Sequence, residues 1–163
     1  MKRSAGLLMY RRTSLDLEAL LAHPGGPFFR NRDLGAWTLP KGLVEESEKA
    51  IAAARREFEE ETGFTVPSAE LLELGTVRLR SGKIVEAWAV EGDCDTSLVS
   101  SNTFELEWPP RSGNIQHFPE VDRAEFFSLA EARKRINPAQ SPFIDRLEEL
   151  LGSPPGDVSS LPS

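Results

Sequence analysis

One cysteine, Cys94, occurs in 163 residues, so no intramolecular disulfide can brace this chain. It lies in the polar run Glu91–Asp95 and is given no functional role. Long apolar runs are also missing. The first ten residues begin with Lys2 and Arg3, and their apolar stretch is cut by Arg11 and Arg12. That is too short for a signal-peptide core, and no stretch approaches membrane-spanning length. The expectation is a cytoplasmic protein with no membrane partner. Positive charge is not in excess either: the formal net charge is −7. This argues against broad, sequence-independent binding to nucleic acid, which needs a basic face, so no long nucleic acid is expected as a partner. A phosphorylated small molecule stays open, because a bound metal and a few local lysines or arginines can invert the field inside one cleft. Internal repeats are absent.

What is present is ordinary for a globular domain: 39% hydrophobic and 28% charged residues. The length suits one domain with a real core. Residues 1–152 form that domain, and residues 153–163, rich in proline and serine, read as a flexible C-terminal tail. Ala5–Arg11 and Leu17–His23 read as buried strands joined by a turn at 12–16. Residues 23–35 form a loop rich in proline and glycine that also carries Phe28, Phe29, Arg30 and Arg32. Trp37–Leu39 reads as a short strand. Ala69–Arg80 and Lys83–Glu91 read as a hairpin turning at Ser81-Gly82. Thr103–Trp108 is a strand ended by Pro109-Pro110, and Arg111–Pro119 a second long loop. Val121–Phe127 is a strand, Ser128 caps a short helix to Arg135, and Ser141-Pro142 opens a last helix to Leu151. Strands interleaved with helices predict an α/β fold with a mixed sheet covered on both faces.

The most informative stretch is Gly42–Phe64. Ala50, Ala53, Ala54 and Phe58 recur at helical spacing, which predicts an amphipathic helix over about Glu48–Thr62, with Ser47 as N-cap and Gly63 just past its end. Glu57, Glu60 and Glu61 then project from one face. Like charges at i, i+3 and i+4 cost about 0.2–0.5 kcal/mol per pair, and the helix C-terminus is where the macrodipole disfavours anions. A divalent cation reverses the sign of each of these terms, and carboxylate oxygens are the ligands that Mg2+ or Mn2+ prefers.

This stretch resembles the Nudix hydrolase family, whose signature reads G-x5-E-x7-R-E-U-x-E-E-x-G-U, with U a bulky aliphatic or aromatic residue. Gly42, Glu48, Arg56, Glu57, Phe58, Glu60, Glu61, Gly63 and Phe64 all fall in register. The resemblance implies a Nudix-type α/β/α sandwich with the signature as a loop–helix–loop. It also implies a metal-dependent hydrolase that uses water to split the pyrophosphate of a nucleoside diphosphate linked to another group X. The metal would be Mg2+ or Mn2+, which neutralises the anionic linkage, polarises it and makes bound water more acidic. By the same resemblance, Glu60, Glu61 and the Lys41 carbonyl are metal ligands, Glu57 is a ligand or the catalytic group that orients a ligand or the attacking water, Arg56 orients a signature carboxylate and Glu48 braces the loop against the helix. Among helix neighbours, only Glu59 and Glu60 lie one turn ahead of Arg56 to pair with it.

The family often completes its site with a carboxylate from outside the signature. Glu120, directly before a strand, stands where that group is expected, as a further ligand or the general base. Glu105, Glu107 and Glu125 are alternatives. Lys41, Arg30, Arg32, Phe29 and His117 are candidate contacts to substrate. Phe28, Trp88, Phe104, Trp108 and Phe118 are further aromatics able to stack a base. The lead-in Gly35–Gly42 looks like that of dinucleoside polyphosphate hydrolases. The family's tyrosine and proline markers downstream of the signature are both absent: that region is Leu79–Gly82. A non-catalytic nucleotide-binding sensor or adaptor is the alternative reading. Monomer and homodimer remain equally open.

Overall fold

A computed structural model describes residues 3–151; the tail expected at 153–163 lies outside the described residues. In chain order the elements are β1 (Arg3–Arg12), β2 (Leu17–Pro24), β3 (Lys41–Leu43), α1 (Ala50–Thr62), β4 (Leu71–Arg78), β5 (Ile84–Glu91), β6 (Thr103–Glu107), β7 (Ile115–Pro119), β8 (Val121–Ser128), α2 (Leu129–Arg135) and α3 (Ser141–Leu151). The main sheet has the order β4-β5-β1-β2-β8, with β3 also paired to β1. It is mixed: β1 and β5 run parallel, and the other pairings are antiparallel.

Period-two alternation sends each central strand's side chains into two cores. Leu8 and Tyr10 of β1, Ala19 and Leu21 of β2, and Ala87 and Ala89 of β5 pack with Leu129 and Ala132 of α2 and Phe143, Ile144 and Leu147 of α3. On the other face, Leu7 and Met9, Leu20, and Trp88 and Val90 pack with Ala53, Ala54 and Phe58 of α1. The result is the expected α/β/α sandwich. The helices cover both sheet faces, and β1 is buried on both sides, as its unbroken apolar run requires. No helix of the described residues is long and apolar enough to cross a membrane.

The path of β1 decides where the site forms. Its C-terminal half pairs with β2, through Tyr10–Arg12. Its N-terminal half pairs with β3 instead, through Ser4–Gly6. Residues 38–43 enter where the two partners change over, tied by Leu7 N–H to the Pro40 carbonyl at 3.1 Å and Ala22 N–H to the Thr38 carbonyl at 2.8 Å. Lys41 and Gly42 are thereby fixed beside α1.

Several local expectations are corrected. Trp37–Leu39 is extended and buried but forms only isolated bridges, Ala22 with Thr38 and Trp37 with Ile136; the short strand is Lys41–Leu43. Ser47 does not cap α1. It sits at φ 67° inside a turn closed by Glu48 N–H to the Glu45 carbonyl at 3.0 Å, and the helix starts at Ala50 after Lys49. The second long loop is not a loop throughout: Ile115–Pro119 pairs with Thr103–Glu107 as a separate hairpin. Ser141 is already helical, because a short 3-10 turn at Pro138–Gln140, capped by Asn137, precedes it. Ser128 does cap α2, accepting the Glu131 N–H at 3.2 Å.

Candidate functional site

The site is built on α1 and the turn before it. Ala53, Ala54 and Phe58 are fully buried and set the helix roll, so Glu57 and Glu61 lie against Gly42 and Lys41 of β3, while Glu60 is drawn to Arg56. At the far end Gly63 adopts φ 80°, and its N–H donates to the Glu59 carbonyl at 2.8 Å. That left-handed geometry ends the helix one residue after Thr62.

Arg56 organises the carboxylates. Its guanidinium donates to both oxygens of Glu48 at 2.9 and 3.0 Å, to Glu57 at 2.9 Å, to Glu60 at 3.2 Å and to the Leu43 carbonyl at 3.0 Å. Its main partner is therefore Glu48, eight residues back across the loop. Helix spacing offered only Glu59 and Glu60. The Arg56 hydrogen bonds, helped by the Glu45 N–H, hold the Glu48 carboxyl down at about 2. Glu48 and Arg56 thus clamp the Gly42–Glu48 loop onto the helix, a planar fork meeting a carboxylate.

Glu57 lies directly against Gly42, where an added Cβ would overlap its carboxylate. A glycine is needed at 42 for that close approach. Burial raises the Glu57 pKa, with Arg56 opposing and Glu60 and Glu120 adding to the rise. Glu61 is only 9% exposed. It accepts the Lys41 backbone N–H at 3.3 Å. Burial pushes its carboxyl up to about 8, against the pull of Lys41. The same burial pushes the Lys41 ammonium down, and Glu61 partly restores it.

Glu120 sits between β7 and β8, and three backbone hydrogen bonds fix it there. Asn102 N–H donates to the Glu60 carbonyl at 2.9 Å, Glu120 N–H to the Asn102 carbonyl at 2.9 Å, and Gly25 N–H to the Glu120 carbonyl at 3.0 Å. Its pKa is raised by burial and by Glu60, and its own charge raises those of Glu57 and Glu61. Four carboxylates are therefore within electrostatic reach of one another, three from the helix and one from the strand junction.

This donor set fits a hard divalent cation by its chemistry: oxygen ligands, mutual repulsion, and a buried carboxyl that resists ionising alone. Among the described residues no three acidic, histidine or cysteine side chains converge on one point as they stand. Glu57 and Glu60 are drawn onto Arg56 instead, so a cation has to compete with the guanidinium for them.

The other candidates fall elsewhere. Phe29 and Arg32 line a cavity of about 270 Å³ with Asp33, Leu34, Gly35, Ala36 and Asn137, and none of the signature carboxylates borders it. Arg30 is exposed beside it. His117 is on β7, 61% exposed and 3.7 Å from Glu105, on the face of the hairpin opposite Phe104 and Phe118. Glu105, Glu107 and Glu125 are exposed.

Sequence reading passed over His23. It is fully buried, with Nδ1 2.7 Å from Asp122 and Nε2 2.6 Å from the Arg32 carbonyl, and it packs on Trp37. It pins the 25–36 loop to the sheet. A polar residue closing the apolar run Leu20-Leu21-Ala22 was the available signal.

The NUDIX domain model matches residues 2–147. A phage T4 protein, an uncharacterised 17.7 kDa product, is 51% identical over 49 residues, which is 29% of this chain and 32% of that protein. The match thus spans about a third of the curated relative. Among solved structures, a Caenorhabditis elegans Ap4A hydrolase binary complex superposes with TM-score 0.64 at 22% identity, covering 91% of this chain and 97% of that one. The NUDIX domain of Shewanella oneidensis NrtR complexed with ADP ribose gives 0.62 at 17%, covering 92% and 88%. A Listeria innocua mutT/nudix family protein gives 0.61 at 19%, covering 92% and 93%. At these identities the likeness is one of fold. With the family model spanning nearly the whole described chain and every signature position filled, the protein belongs to the Nudix family.

Proposed function

We propose that this protein is a metal-dependent hydrolase of the pyrophosphate linkage in nucleoside diphosphate-X compounds, dinucleoside polyphosphates among them. The observation that carries this reading is that Glu57 and Glu61 lie against the Lys41–Gly42 turn with Glu60 and Glu120 within electrostatic reach. Four carboxylates in mutual repulsion, one of them buried, are costly for a fold to hold without a cation. Glu57, Glu60, Glu61 and the Lys41 carbonyl would hold Mg2+ or Mn2+, with Glu120 as a further ligand or the general base. Such a cation supplies charge neutralisation at the phosphates and a more acidic water.

The protein's own groups do the rest. Arg56 and Glu48 keep the loop on the helix and orient Glu57 and Glu60. Glu120, held at the root of the β6–β7 hairpin, would complete the ligand set or, in the other role, accept a proton from attacking water. Lys41, Arg30, Arg32, Phe29 and His117 are the proposed substrate contacts. Arg30, Arg32, Phe29 and His117 lie outside the carboxylate cluster, so they would act on remote parts of a long substrate. The dinucleoside polyphosphate class is supported by the Gly35–Gly42 lead-in and by fold likeness to the Ap4A hydrolase.

A second reading, a nucleotide-binding module without turnover, draws on the engagement of Glu57 and Glu60 by Arg56. One experiment separates them. A panel of nucleoside diphosphate compounds is incubated with Mg2+ or Mn2+, with and without chelator, and products are resolved by chromatography. Metal-dependent release of nucleotide products supports the hydrolase; binding without any product supports the module.

A further inference from the structure

We propose that Phe28 and Trp108 form the surface on which a nucleobase of the substrate stacks. This rests on the reading above that the substrate is a nucleotide. The β6–β7 hairpin is rooted in the carboxylate cluster: the Glu60–Asn102–Glu120–Gly25 backbone hydrogen bonds join the end of α1, both hairpin stems and the start of the 25–36 loop.

From that root the hairpin presents one apolar face. Phe104 and Leu106 of β6, and Trp108 just past its end, are half-buried, while Thr103, Glu105 and Glu107 are exposed on the other face. Phe104 faces Phe118 across the hairpin and lies against Gly26 of the loop. Further out, Trp108 meets Phe28 edge to face, with centroids 5.4 Å apart.

Phe104, Phe118 and Trp108 are half-buried, whereas Phe28 is 63% exposed, so the outer pair is the open end of this aromatic row. An edge-to-face pair leaves a ring face free for a third planar group, and bases stack on such faces whatever their identity. Phe28 follows Gly25 by three residues, and the Gly25 N–H is bonded to the Glu120 carbonyl, so a short stretch of chain ties the pair to the carboxylate cluster. Arg30, two residues past Phe28, and Arg111, three past Trp108, are exposed cations beside the pair. They suit an anionic ligand better than an apolar protein surface.

The molecule carries its own probe. Trp37 is fully buried and Trp88 is 7% exposed, whereas Trp108 is half-buried. Tryptophan emission is followed while the full chain, in chelator to prevent turnover, is titrated with ADP and, as the base-free control, ribose 5-phosphate. Stacking predicts saturable quenching by ADP, none by ribose 5-phosphate, and loss of the signal in Trp108→Phe. It also predicts ADP affinity weakened about fivefold or more in Phe28→Ala. In the hydrolysis assay, Phe28→Ala should raise KM for a dinucleoside tetraphosphate by a similar factor, with a much smaller change in kcat. Equal response to both ligands, or unchanged affinity in Phe28→Ala, overturns the proposal. So does Trp108 becoming covered with rising protein concentration without any nucleotide response, which assigns the pair to a second copy. Quenching without hydrolysis of any substrate would retain the stacking surface and remove the hydrolase reading. Hydrolysis with unchanged KM in Phe28→Ala would do the reverse.

Discussion

Glu61 is the residue whose environment departs furthest from water. Its folded carboxyl is raised to about 8 from an ordinary 4.5, mainly by burial. A carboxyl raised in the folded state binds protons more tightly there than when unfolded. Its contribution to stability is fully present below about pH 4.5 and is lost as pH rises to about 8. Without metal, then, Glu61→Gln should melt at nearly the wild-type temperature at pH 5, where the acid and the amide are alike. At pH 8 it should melt at least ~2 °C higher, roughly 1 kcal/mol for a domain of this size. A difference that shrinks as pH rises would show that Glu61 is ionised and satisfied in the apo protein. Glu120 has two candidate roles, which a metal titration separates. As a ligand, Glu120→Gln needs more Mg2+ or Mn2+ for half-maximal rate and regains activity at high metal. As a general base, it loses kcat and the acidic limb of the pH–rate profile with metal affinity little changed. The ligand outcome is expected, because Arg56 already engages Glu57 and Glu60.

At the scale of elements, the loop and helix from Gly42 to Gly63 act as a unit whose parts fix one another. Gly42→Ala probes that unit. The new Cβ would meet the Glu57 carboxylate, the movable end of a side chain, so the fold can yield there cheaply. The expected result is a Tm within ~2 °C of wild type, about 1 kcal/mol or less, together with a tenfold or greater loss of kcat. If both hold at wild-type levels, the position of Glu57 does not matter to the reaction. The helix was legible because its signals are local: apolar spacing, the carboxylates at i, i+3 and i+4, and Gly63. Its start was not, because the Glu45–Glu48 turn uses Ser47 at positive φ and Glu48 caps the Glu45 N–H instead. Arg56 pairs with Glu48 through the same turn, and helix spacing cannot foresee a partner in a folded-back loop. The strand Ile115–Pro119 escaped notice because its hairpin stands off the main sheet, where four of its five residues are exposed and no strong alternation results.

For the whole molecule, the two-faced burial of β1 made the sandwich legible, since an unbroken apolar run flanked by helices admits few other architectures. What could not be read was the meeting of distant segments: Asn102 with Glu60, Glu120 with Gly25, His23 with Asp122. Each is a long-range backbone or side-chain bond between residues with no local pattern of their own. These contacts bring a strand junction to the helix carboxylates. The clustered glutamates are proposed to hold the metal that makes pyrophosphate cleavage fast. The measurement that tests it most directly compares wild type with Glu60→Gln in hydrolysis of a dinucleoside polyphosphate at saturating Mg2+ or Mn2+, with products read by chromatography. The expected result is a loss of about a hundredfold or more, some 3 kcal/mol of barrier, in a protein that still folds. Activity within about threefold of wild type, under ~1 kcal/mol, would contradict it.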